Sequence, residues 1–183
     1  IGHSESALAA DDIETYRNAM KTVNTRGKEM QALLSRLLML ARGEEQLELS
    51  RFELSKFIED LAVEISVKAT EKNISVIKDI ELGITYEADQ MLFVHMLMNI
   101  MENAVKYTDP GGRIDIGLTA SPLRITVMDT GRGLAPEDVG KSFERFYRAD
   151  KARSAGEGSG LGLSIARRVA DLHGGSISRA ATP

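Results

Sequence analysis

The chain has 183 residues and a formal net charge of −4, with 43% apolar and 27% charged residues. That is enough for one full domain with a sizeable core and a smaller attached element. The absence of cysteine excludes disulfides and thiolate metal sites, and the acidic balance without a basic, aromatic-interleaved stripe argues against non-specific nucleic-acid binding.

No stretch approaches the roughly 18 uninterrupted apolar residues of a membrane span. Ile1 is not a natural start, so the chain is expected to be a fragment. Residues 1–10 (IGHSESALAA) read as the tail of a helix entering a turn at Ala10-Asp11. Ile13, Tyr16, Met20, Val23, Met30, Leu34, Leu37 and Ala41 then recur at steps of three and four, with only Gly27 breaking the apolar seam. This spacing predicts a coiled-coil-like helix, capped by Asp11 or Asp12, that needs partner helices from this chain or another.

After ARGEEQ the pattern changes. LELSRFEL alternates as a short strand, and Ser55 is expected to cap a helix whose apolar face is Phe57, Ile58, Leu61, Ala62, Ile65 and Ala69. ISVIKDI (74–80) and ITYEA (84–88) read as strands. Asp89 opens a helix through Lys106, stopped by TDPGG. RIDIGLTA (113–120) and LRITVMD (123–129) form a hairpin across Ser121-Pro122. Residues 130–159 lack steady periodicity, as a long functional or disordered loop does. A last helix, Leu161 to Leu172, ends at Gly174, and GSISRA reads as one more strand. The order predicts an α+β sandwich, a mixed sheet with helices on one face.

Four stretches carry chemistry. On helix 89–106, Leu92, His95 or Met96, Asn99, Glu102 or Asn103, and Lys106 share one stripe, opposite Val94, Leu97, Met98, Met101 and Val105. Such a stripe is compatible with a solvated face. Two asparagines one turn apart also offer carboxamide oxygens for a hard cation such as Mg²⁺, and the lysine suits phosphate. In DTGRGL (129–134), a carboxylate at a strand end is followed by Gly131 and Gly133, which allow close approach to the backbone. Asp-Thr-Gly is also the aspartic-protease triplet, but that chemistry needs two such aspartates sharing a proton in a mostly β fold. FERFYRADKAR (143–153) reads as a loop pinned by aromatics, or as a lid whose cations reach phosphate. In AGEGSGLGLSIARR, glycines 156, 158, 160 and 162 precede a helix, which favours an anion held by converging N–H groups. The spacing fits neither a Walker loop nor G-x-G-x-x-G after a strand.

In order, N-I-M-E-N-A-V-K-Y-T, D-T-G-R-G, F-E-R-F-Y-R and G-E-G-S-G-L-G-L resemble the N, G1, F and G2 boxes of sensor histidine kinases of two-component systems. The likeness covers roughly residues 47 to 180. It implies the Bergerat, or GHKL, two-layer α/β sandwich, preceded by a helical-hairpin dimerisation stem. Residues 1–45 would be a partial dimerisation and phosphotransfer hairpin. Residues 46–183 would be the ATP-binding catalytic domain, with a lid at 134–159 and its last strand missing. By the resemblance, Asn103 would hold Mg²⁺, Asn99 and Lys106 would touch the triphosphate, and Tyr107 would pack near ribose or adenine. Asp129 would accept from the adenine amino group, with Gly131 and Gly133 giving the base room. Phe143 and Phe146 would anchor the lid, and Arg148 and Lys151 would lie near the γ-phosphate. Gly158, Ser159, Gly160, Leu161, Gly162 and Leu163 would form the phosphate-facing edge.

The resemblance implies transfer from Mg-ATP, leaving ADP, to a histidine of the dimerisation domain, then to a response-regulator aspartate. Catalysis would rest on Asn99, Glu102, Lys106 and Arg148. Gyrase-like relatives carry a water-activating glutamate four residues before the metal asparagine; here that place is Asn99, which disfavours hydrolysis. Glu102 is the remaining carboxylate on that helix that could polarise a nucleophile. The rivals are a GHKL ATPase that uses hydrolysis for conformational change and a degenerate module that binds no nucleotide. His3 lacks the family's Arg and Pro context, so the acceptor is expected about ten residues upstream of Ile1, and His95 and His173 are read as structural. The implied partners are a second copy through the hairpin and a receiver domain, with no nucleic acid. The implied setting is the cytoplasmic portion of an inner-membrane sensor, this piece being soluble.

Overall fold

The computed structural model describes residue 14 and residues 16–24, 47–147 and 160–179. The chain divides into two units, Ile1–Arg42 and Gly43–Pro183. In the first, residues 16–24 are helical, with Tyr16, Met20 and Val23 of the predicted seam exposed. The rest of the predicted hairpin lies outside the described residues.

The second unit runs β1 (Ser50–Glu53), α1 (Leu54–Thr70), β2 (Ser75–Ile80), β3 (Thr85–Ala88), α2 (Gln90–Tyr107), β4 (Arg113–Ala120) and β5 (Leu123–Asp129). The short helix α3 (Pro136–Val139), a 3₁₀ turn (Lys141–Phe143) and α4 (Gly162–Leu172) follow. β2 and β4 pair in parallel (Ile77 opposite Asp115), and β4 and β5 pair antiparallel (Ile116 opposite Val127), giving a mixed three-stranded sheet. β1 and β3 form a separate antiparallel ribbon with Phe52 opposite Tyr86. Ile114, Ile116 and Leu118 alternate with more exposed residues along β4, so one face of the sheet is apolar, as a half-covered sheet requires. α1 and α2 cover it, and α4 packs along α2. The expected α+β sandwich is therefore present, with its core built by Leu54, Ile58, Ile65, Leu97, Met101, Ile165 and Val169. No helix of the described residues is long and apolar enough to cross a membrane.

Three expectations are corrected. Ser55 does not cap α1; Glu53 holds that position without a side-chain hydrogen bond. The Ser55 hydroxyl is buried and turned to the β2–β3 connection, donating to Glu81 O (2.7 Å) and accepting from Ile84 N–H (2.9 Å). Second, residues 175–179 of GSISRA form no strand, because they join no ladder and β4 is the only partner of β5 among the described residues. Third, Leu92 and Met96 of the polar stripe on α2 are buried, since α2 has neighbours on both sides, and of that stripe only His95 and Glu102 are exposed.

Candidate functional site

α2 is fixed at both ends. Asp89 caps its start, Oδ1 accepting from Leu92 N–H at 3.1 Å, and Oδ2 accepts from Glu48 N–H at 3.2 Å. At its end, the Lys72 ammonium donates to Val105 O (3.2 Å) and Lys106 O (3.5 Å), a cation on the negative pole of the helix. Between these anchors stand the predicted polar residues.

Asn99 is half-buried, with Nδ2 donating to His95 O at 2.7 Å. Its Oδ1 faces Gly162, where an added Cβ would stand 3.0 Å away. Asn103 is half-buried one turn further on. Glu102 turns elsewhere: its carboxylate binds the Lys68 ammonium of α1 at 2.7 Å, the two side chains 46% and 42% exposed. The Glu102 carboxylate, seconded by Glu64 and opposed by partial burial, holds the Lys68 pKa above the ordinary lysine value.

At the last residue of α2, the Tyr107 ring has the Lys106 ammonium 5.4 Å and the Arg132 guanidinium 5.2 Å from its centroid. Arg132 was not anticipated; its place inside D-T-G-R-G, between two glycines beside a strand-end carboxylate, was the only signal. Gly131 lies against the end of α2, where a Cβ would stand 2.4 Å from Tyr107 O and 2.7 Å from Asp129 Oδ1. Its N–H donates to Asp129 Oδ1 at 3.0 Å, which orients a half-buried carboxylate at the end of β5. Gly133 has φ +62°, with no described residue within 4 Å of where a Cβ would stand. Thr108, directly after Tyr107, is buried, and its Oγ1 is without a hydrogen-bond partner among the described residues.

The segment after β5 folds back as α3 and the 3₁₀ turn, held by the Tyr147 hydroxyl on Asp138. Phe143 is half-buried under the Arg167 guanidinium, 5.9 Å from its ring centre. Phe146 is not an aromatic anchor: at φ +63° its side chain is turned outward and is 63% exposed. Its backbone does the tying instead, Phe146 N–H donating to Gly160 O at 3.0 Å. Gly160 has φ +70°, and a Cβ there would lie 2.8 Å from the Phe146 carbonyl carbon. Leu161 is fully buried, and Leu163 is half-buried. α4 opens at Gly162, with no side chain capping it among the described residues. Its first N–H groups stand at the positive end of an 11-residue helix, where an anionic acceptor is favoured. Arg148, Lys151, Gly158 and Ser159 lie outside the described residues.

The site therefore unites Asn99, Lys106, Tyr107, Asp129, Gly131 and the glycine start of α4 around the C-terminal half of α2, while the Glu102 carboxylate is engaged by Lys68. An uncapped helix start, a carboxamide, cations and a strand-end carboxylate suit a molecule with an anionic tail and a hydrogen-bonding ring.

The family model of histidine kinase-, DNA gyrase B- and HSP90-like ATPases matches residues 88–183, and the chain belongs to that family. Sensor histidine kinase RppB of Synechocystis is 35% identical over 87% of this chain and 37% of its own length. Full-length ShkA, crystallised with AMPPNP, is 27% identical with a TM-score of 0.76, over 89% of this chain and 35% of that one. Histidine kinase ThkA, in complex with the response regulator protein TrrA, is 26% identical with a TM-score of 0.68, over 92% and 48%. The chain thus spans well under half the length of RppB.

Proposed function

We propose that the chain is the catalytic region of a sensor histidine kinase, which binds Mg-ATP and passes the γ-phosphoryl group to a histidine for relay to a response-regulator aspartate. Residues 1–45 would be part of a hairpin that pairs two copies, and residues 46–183 the nucleotide-binding domain. The observation that carries the reading is the seating of Gly162 on the Asn99 carboxamide, which brings the uncapped start of α4 against the polar strip of α2. The naming of RppB as a sensor histidine kinase and the AMPPNP in ShkA support it, and TrrA bound to ThkA supports the relay.

Asp129 uses the oxygen not facing Gly131 to accept from the adenine amino group, and Gly131 and Gly133 leave the ring room. Tyr107 flanks the nucleoside. Lys106, the first N–H groups of α4 and, from the lid, Arg148 and Lys151 neutralise the phosphates. Among the described residues no group of three or more His, Asp or Glu side chains could hold a metal alone. A single half-buried carboxamide, Asn103, fits Mg²⁺ completed by phosphate and water oxygens. Bound there, the ion would supply charge neutralisation across the phosphates. With Asn99 where hydrolases carry glutamate and Glu102 held by Lys68, water lacks a base and the phosphoryl group is kept for an imidazole.

Calorimetric titration with AMPPNP tests this. Asp129→Ala and Asn103→Ala are each expected to weaken binding about tenfold or more, the loss of a hydrogen bond to a charged group or of a metal ligand. Unchanged affinity in both would remove the site. Steady phosphate release by the complete protein, with no phosphohistidine, would replace the kinase reading with the hydrolase one.

A further inference from the structure

His173, one residue past α4, lies at the far end of that helix from the glycine start, yet it is bonded to the helix that carries the asparagines. Asp89 N–H donates to His173 Nε2 at 3.1 Å, so Nε2 holds the lone pair and Nδ1 the proton. Nδ1–H then donates to Val169 O at 2.8 Å, closing the last turn of α4. The ring stands edge-on to Phe93, centroids 4.9 Å apart, in a cluster continued by Phe52 and Tyr86. Asp89 is itself 3% exposed and caps α2, so its N–H has no access to water. α2 and α4 therefore run antiparallel with two seats, His173 on Asp89 and Gly162 on Asn99. At 1.5 Å per residue, the seats are about 15–17 Å apart along either helix.

We propose that His173 is a positioning residue for the nucleotide: its bond to Asp89 sets the axial register of α4 on α2, and so the place of the α4 start relative to Asn99. The proposal rests on the nucleotide-binding reading above. An apolar side chain in place of His173 leaves Asp89 N–H unpaired and lets α4 slide; a glutamine carries the same acceptor and donor and can hold it.

The test compares His173→Leu with His173→Gln in the whole chain, by AMPPNP titration, by thermal melting without nucleotide and by the NMR signal of the Asn99 side-chain amide. His173→Leu is expected to weaken AMPPNP binding about fivefold, the worth of one hydrogen bond. It should also move the Asn99 signal in the free protein, with His173→Gln restoring both. A His173→Leu chain that melts lower but binds AMPPNP as tightly as the wild type, with the Asn99 signal unmoved, overturns the proposal and leaves the nucleotide site standing. If His173→Leu does not fold, His173→Gln decides: wild-type affinity and an unmoved Asn99 signal support the proposal, and loss of either overturns it. A wild-type chain indifferent to AMPPNP overturns both readings at once.

Discussion

At the residue scale, the two glycines of D-T-G-R-G do different work, although the sequence presents them alike. Gly131 is required by space: a Cβ would stand 2.4 Å from Tyr107 O, an atom of backbone that cannot step aside without moving the end of α2. Gly131→Ala should therefore cost about 1–3 kcal/mol of stability in urea denaturation and weaken AMPPNP binding, because Tyr107 and Asp129 are the neighbours displaced. Gly133 has no described residue near the place of a Cβ and has a φ of +62°, so Gly133→Ala should cost about 1–2 kcal/mol, and Gly133→Asn less because asparagine tolerates that conformation. The residue types at Asn99, Asn103 and Asp129 were readable from pattern because carboxamides and a strand-end carboxylate are uncommon choices there. That Gly162 meets Asn99, or that Arg132 covers Tyr107, was not readable, since both contacts join segments more than twenty residues apart in sequence.

At the element scale, α1 and α2 were legible from their periodicity, but the start of α1 was misplaced by a residue with two uses. A serine ahead of an apolar run has the form of an N-cap, yet Ser55 lies inside the first turn and serves the β2–β3 connection. Ser55→Ala should then cost about 0.5–1.5 kcal/mol, the worth of its partly buried hydrogen bonds to Ile84 N–H and Glu81 O, and urea denaturation would measure it. The Lys68–Glu102 bridge gives α1 and α2 a second link whose pH dependence has a definite sign. Because the Lys68 pKa is raised in the folded chain, its contribution is fully present below the unfolded lysine value of about 10.4 and is lost as pH rises through the folded value. Both partners are nearly half exposed, so the difference between the wild type and Lys68→Met should be at most about 0.2–1 kcal/mol at neutral pH and should vanish in strongly alkaline solution. Denaturation at a series of pH values checks it.

At the scale of the whole molecule, the mixture of strands and helices without regular alternation was enough to give a sheet with helices on one face. It was not enough to give the fate of GSISRA, because a strand exists only with a partner and the partner is not local in sequence. Nucleotide binding should be visible as a global effect: at a hundredfold excess over its dissociation constant, AMPPNP is expected to raise the melting temperature by about 5–10 °C. Asn103→Ala should reduce that rise, and an equal rise in the variant would count against its metal role. One small knot has a larger consequence. Because Phe146 N–H donates to Gly160 O, the glycine that leads into α4 is tied to the chain that follows the 3₁₀ turn, earlier in the sequence. The start of α4 is thus held from two sides, by Phe146 on one and by Asn99 on the other.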